Sequence, residues 1–124
     1  MSTTSLVLVV TQDRDIRAAV QEVLDGCIGV RVLFGRDSDH ALKLLQYVKF
    51  ALVMVEIVPP ECNELNVVVQ VNGQGSAKRT PVIAISSSSA TARQAGNAGA
   101  SECLVKPVGK DTLLEVLRKY LPRL

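Results

Sequence analysis

Aromatic residues are nearly missing from this chain: there is no tryptophan, and two tyrosines and two phenylalanines make up 3% of it. A core of stacked rings is excluded, and with 48% of residues hydrophobic the interior must be built from Val, Leu, Ile and Ala. That mixture suits a parallel sheet covered by helices on both faces. Long apolar runs are lacking too. Leu6 to Val10 falls far short of the roughly 20 residues that span a bilayer, and no charged leader with a small-residue cleavage site precedes it. The expectation is a soluble, cytoplasmic protein without membrane contact. Cysteine is sparse: Cys27, Cys62 and Cys103 are odd in number, widely spaced and without a C-x-x-C pair. This argues against a disulfide framework and a zinc site, and leaves buried free thiols in a reducing compartment. A dominant charge sign is also lacking. Net charge is +2, with basic residues in ones and twos such as Arg118-Lys119, too dilute for a nucleic-acid-binding stripe.

At 124 residues the chain is sized for one domain spanning 1–124, with no output domain after it. Short β-branched runs alternate with helical periodicity, which is how β-α units are written. Strands are predicted at Leu6 to Val10, Val30 to Phe34, Ala51 to Ile57, Thr80 to Ser86 and Cys103 to Val105. The first helix carries Ile16, Ala19, Val20, Val23 and Leu24 on one face and ends at Gly26. Ser38 is the expected N-cap of the second, which carries Ala41, Leu42, Leu44, Leu45 and Val48. Leu65 to Val71, rich in valine, is ambiguous by periodicity and is assigned to a helix because parallel strands need a crossover there. Asn72 to Ser76 is read as a loop, and a short Ala-rich helix follows from about Ala90 to Asn97. The last helix places Leu113, Leu114, Leu117, Tyr120 and Leu121 together, with Glu115 and Lys119 as an i, i+4 pair.

In such a sheet, reactive groups gather beyond the carboxyl ends of the strands. Those ends carry Thr11 and Gln12, then Glu56, then Ser86 and Ser87, then Lys106. Glu56 stands out, because a carboxylate closing the apolar run Ala51 to Val55 costs free energy unless a cation or donor meets it. Other features read as ordinary. Ser86 to Ser89 lacks a G-x-S-x-G setting and is a polar loop. His40 is a surface residue near a helix start. Asn72-Gly73-Gln74-Gly75 follows a helix and lacks the lysine of a phosphate-gripping loop. Cys62 is the one thiol placed where oxidants could reach it.

LVLVVTQDRDIR, VEIVPP, TPVIAIS and AGASECLVKP, with the ending LVKPVGKDTLLEVL, resemble in order the pieces of the receiver domain of bacterial two-component response regulators. The resemblance spans essentially the whole chain. It implies a doubly wound flavodoxin-like (βα)5 domain with strand order 2-1-3-4-5. It also implies a phosphoryl transfer to a strand-three aspartate, assisted by magnesium held by that aspartate and an acidic pair after strand one. Where the resemblance puts the acidic pair stand Thr11 and Gln12, and Glu56 replaces the aspartate. Lys106 and the hydroxyl residue, Ser86, are kept. Cys103 takes the place of the family's switching aromatic.

Magnesium demands octahedral oxygen ligands at about 2.0–2.1 Å, so a site with one carboxylate in place of three is expected to hold none. Asp13 neighbours the lost pair, but is expected to point elsewhere and cap the helix. Glu56 is one methylene longer than aspartate, and misplacing a nucleophile by ~1 Å costs ~10²-fold in rate. Lys106 is the cation positioned to meet it. With these departures, the resemblance implies a non-enzymatic pseudo-receiver that binds a protein partner through the face such domains most often use, here Ala90 to Asn97, Glu102 to Val105 and Val108 to Tyr120, with a homodimer as another occupant of that face. The alternatives are an unconventional phosphoacceptor served by a histidine kinase and, more weakly, a small-ligand flavodoxin-like domain.

Overall fold

The computed structural model describes residues 4–73 and 80–121. Five strands, β1 (Ser5–Val10), β2 (Val30–Gly35), β3 (Leu52–Glu56), β4 (Val82–Ser86) and β5 (Glu102–Val105), alternate with five helices. The helices are α1 (Arg14–Asp25), α2 (Ser38–Tyr47), α3 (Leu65–Asn72), α4 (Ser89–Asn97) and α5 (Lys110–Tyr120). All strand pairs are parallel, in the order β2-β1-β3-β4-β5. This is the flavodoxin-like doubly wound arrangement that the alternation predicts.

Strand alternation sends successive side chains to opposite faces, and each face has its own core. Val7, Val9, Leu52, Met54, Ile83 and Ile85 pack with Ile16, Val20 and Leu24 of α1 and Leu113, Val116 and Leu117 of α5. Leu8, Val10, Val53, Val55, Val82 and Ala84 pack with Ala41 of α2, Val67, Val68 and Val71 of α3 and Ala95 of α4. The crossover helix assigned to the valine run is present, and Asn72 is its last residue rather than part of a loop. Asn72 Nδ2 donates to the carbonyl of Ala98 at 3.1 Å. Its side chain fills the space a Cβ at Gly99 would need, and Gly99 has φ +113, so only glycine suits that turn. The remainder of the predicted loop, Gln74 to Ser76, lies outside the described residues.

Three local expectations change. Asp37, not Ser38, caps α2, because its carboxylate accepts from the amide of His40 at 2.8 Å. Lys119 reaches across to Glu102 on β5 at 2.9 Å rather than along its own helix to Glu115. The thiols are not buried: Cys27 and Cys62, in loops, are half-buried, and Cys103 is exposed on the edge strand β5. No helix among the described residues is long and apolar enough to cross a membrane.

Candidate functional site

The site forms beyond the carboxyl ends of β1, β3 and β5, where their loops turn into helices. Glu56 shares the parity of Leu52 and Met54 but lies one step past the buried run, with 11% of its side chain exposed. Both of its oxygens are met. The Thr11 hydroxyl donates to Oε1 at 2.5 Å, and Lys106 Nζ lies 2.6 Å from Oε2. The acid at the end of an apolar strand is thus compensated by one hydroxyl and one ammonium, as its burial requires.

Thr11 is itself buried, and its oxygen accepts from the amide of Asp13 at 3.0 Å while donating to Glu56. Arg17, in the first turn of α1, donates from Nε to the Thr11 carbonyl at 3.0 Å and lies over the Phe34 ring at 4.9 Å. These contacts fix the β1–α1 turn from below.

Asp13 is the member of this group that sequence reasoning discounted. It does cap α1, with Oδ1 accepting from the amides of Asp15 at 2.9 Å and Ile16 at 3.3 Å. It does not point elsewhere: the cap orients the carboxylate so that Oδ2 lies 2.5 Å from Lys106 Nζ. The N-cap signal was visible in T-Q-D-R-D, but nothing local says where the second oxygen goes. Hydrogen bonding to Lys106 is the main cause that holds the Asp13 carboxyl below its usual value, against partial desolvation and with help from the two cap amides. Burial pushes the Lys106 ammonium down, but hydrogen bonds to Asp13 and Glu56 outweigh it and raise its pKa above the ordinary lysine value. At an effective dielectric near 20 and ~4 Å, each attraction is worth about 4 kcal/mol before desolvation, which offsets much of it.

The side chains of the remaining predicted residues make no hydrogen bond to Asp13, Glu56 or Lys106 among the described residues. Gln12 donates to the carbonyl of Arg36 at 3.2 Å and lines, with Thr11, Glu56, Arg36, Asp37 and Glu64, a cleft of about 290 Å³. Ser86 is fully buried and its Oγ accepts from the amide of Ser88 at 3.2 Å, while its carbonyl accepts from the Lys106 amide at 2.9 Å. Cys103 lies on the outer strand beside α4, where a Cβ at Gly96 would come within 3.3 Å of its Sγ. Burial and the charge of Glu102 push its thiol pKa up, away from reactivity.

A family model described as "Response regulator receiver domain" matches residues 7–118. Among solved structures the chain is similar to a response regulator from Thermotoga maritima, at 26% identity and TM-score 0.78, over 96% of this chain and 98% of that one. It is also similar to a chemotaxis response regulator of Vibrio cholerae, at 29% identity and TM-score 0.78, over 96% of this chain and all of that one. A Francisella response regulator receiver domain at 20% identity and TM-score 0.77, over 97% and 98% of the two chains, shares the fold. No curated relative matches the chain.

Proposed function

The chain belongs to the response regulator receiver domain family of two-component signalling, and we propose that it is a degenerate member, a protein-interaction module that works without aspartyl phosphate. One observation carries this reading: Glu56, standing where the resemblance places the phosphoacceptor, has both oxygens engaged, by Thr11 and by Lys106. A nucleophile in that condition must break two charge-assisted or short hydrogen bonds before it attacks anything. Its carboxylate stands, without phosphorylation, where the family's phosphoryl group would sit.

The residues do not fit the magnesium ion that the family implies. Thr11 and Gln12 replace the two acids, Gln12 is turned to Arg36, and each oxygen of Asp13 and Glu56 is already bonded. Magnesium needs several free oxygens at about 2.0–2.1 Å, and here the nearest carboxylates face an ammonium. No group of three or more His, Cys, Asp or Glu among the described residues is arranged to hold a metal.

The message then passes by contact. Exposed Val105, at 45%, and Cys103 lie on β5 between α4 and α5, which offers an apolar strip for a protein partner. The small thiol in place of an aromatic ring leaves this strip without the rotating side chain that would report a change of state. Incubation with acetyl phosphate and magnesium, followed by intact-mass measurement, tests the reading. An unmodified mass supports it; a stable phosphoryl adduct overturns it in favour of an unconventional phosphoacceptor.

A further inference from the structure

The sheet has two unequal edges. β5 offers four residues, Glu102–Val105, whereas β2 offers six, Val30–Gly35, and among the described residues β2 pairs with β1 alone. The Gly29 carbonyl accepts from the Ser5 amide at 2.7 Å, so it faces β1. Alternation along the strand then turns the N–H and C=O groups of Val30, Val32 and Phe34 outward, away from β1. Exposed edges are commonly blunted by lysine, proline or a bulge, and here the one charge on the strand is Arg31. Leu33 is exposed on it, and a groove of about 400 Å³ runs beside it, lined by Gln21 and Asp25 of α1 and by Val30 to Leu33.

The flank of α1 beside this edge is charged in a particular order. Arg14 and Arg17 stand at its start, with Arg17 over the Phe34 ring at 4.9 Å, and Gln21 and Asp25 follow along the groove. Positions 14, 17, 21 and 25 share one side of a helix. Glu22 lies on the other side, paired with Lys110 of α5 at 2.6 Å. Arginines at the amino end of this flank and an acid at its carboxyl end oppose the helix dipole, so the helix by itself gives no reason for the order. Among the described residues none of Arg14, Arg17 and Asp25 has an ion-pair partner. An antiparallel copy of the same helix supplies one at each end, because its acid end meets the basic end.

We infer that a second copy of this chain docks edge to edge on β2, antiparallel, about a two-fold axis at Val32. Val32 then faces its own counterpart, and Val30 of each copy faces Phe34 of the other, so the outward amides and carbonyls close a ladder and two five-stranded sheets become one. On the opposite face Arg31 of each copy lies across from Leu33 of the other, and its aliphatic stem covers that exposed side chain. The α1 helices lie side by side with Arg14 and Arg17 of one toward Asp25 of the other. An unrelated extended segment would satisfy the strand but leave those helix charges unmatched, which is why the occupant is another copy. This surface is distinct from the β5 flank and stands whether or not Glu56 accepts a phosphoryl group.

Sedimentation equilibrium of the full chain between about 1 and about 500 μM is expected to show a monomer–dimer equilibrium. Asp25→Arg, at an exposed position, is expected to raise the dimer dissociation constant at least about tenfold, and adding Arg14→Asp to recover at least about threefold of that loss. Hydrogen exchange of the wild-type chain, read by mass spectrometry, is expected to slow across Val30–Gly35 as concentration rises through that range, and to stay unchanged across Glu102–Val105. A monomer at every concentration overturns the inference. So does a dimer that Asp25→Arg leaves intact or that Arg14→Asp fails to restore, and so does protection that appears on β5 in place of β2. Should Asp25→Arg fail to fold, the wild-type exchange pattern decides alone. The degenerate-receiver reading fails separately, through a phosphoryl adduct on the wild-type chain whatever its oligomeric state.

Discussion

The cluster at the ends of β1, β3 and β5 and the outer flank of β5 adjoin at Val105 and Lys106 and are opposite in character. At the strand ends, the carboxylate oxygens of Asp13 and Glu56 are bonded and Lys106 is shared between them. On the flank, Cys103 and Val105 are exposed, with Gly96 of the short α4 beside the Cys103 sulfur. A site closed by its own charges has little left to respond with, whereas a strip left open has surface to offer. On the proposed reading, stability belongs to the first region and recognition to the second.

Glu56→Ala should break this contrast most severely. It removes the anion between Thr11 and Lys106, and with 11% of that side chain exposed the loss should be about 2 kcal/mol, read as a lower midpoint in urea unfolding. Thr11→Val keeps the shape but leaves Glu56 Oε1 and the Asp13 amide without their partner, which should cost about 1 kcal/mol in the same measurement.

The Asp13–Lys106 pair adds a pH signature. The Asp13 carboxyl is held below its ordinary 3.8, so folding favours its ionised form. The stability it contributes is complete above that value and is lost as pH falls through the lowered one. Lys106 is raised above 10.5, so its contribution is complete below that value and is lost as pH rises through the raised one. The gap in melting temperature between wild type and Asp13→Asn should therefore be constant through neutral pH, close in acid below 3.8, and narrow again in strong base. A gap that stays constant into acid would remove the pair from the stability account.

Val105→Asp sharpens the contrast from the other side. At a position 45% exposed it should move stability by no more than about 0.5 kcal/mol, yet weaken binding of a partner recovered from the native host. Loss of stability without loss of binding would place recognition elsewhere.

The fold was legible because strand-helix alternation is a local signal: periodicity put the other elements, and the need for a crossover put α3, within a residue or two of where they appear. Glu56 and Lys106 were also legible, since an acid ending an apolar strand demands a cation and the lysine-proline junction supplies one. Asp13 was half legible. Its capping role follows from its place before α1, while its ion pair depends on how the β5–α5 turn lies against β1, which no local pattern records. The same holds for Lys119, where an i, i+4 partner was available but Glu102 on the neighbouring strand was nearer in space. Burial of Cys103 was misjudged because hydrophobic character says inside, while membership of an edge strand beside a short helix says otherwise.

The most direct measurement is a pair of amide nitrogen–proton spectra of the uniformly labelled chain, one alone and one with magnesium and acetyl phosphate. If the strand-end charges already fix the state of the molecule, the amides of Thr11, Glu56, Cys103 and Lys106 stay in place and the two spectra superimpose. Concerted displacement of those resonances, spreading from Glu56 to β5 and α4, would contradict the central claim.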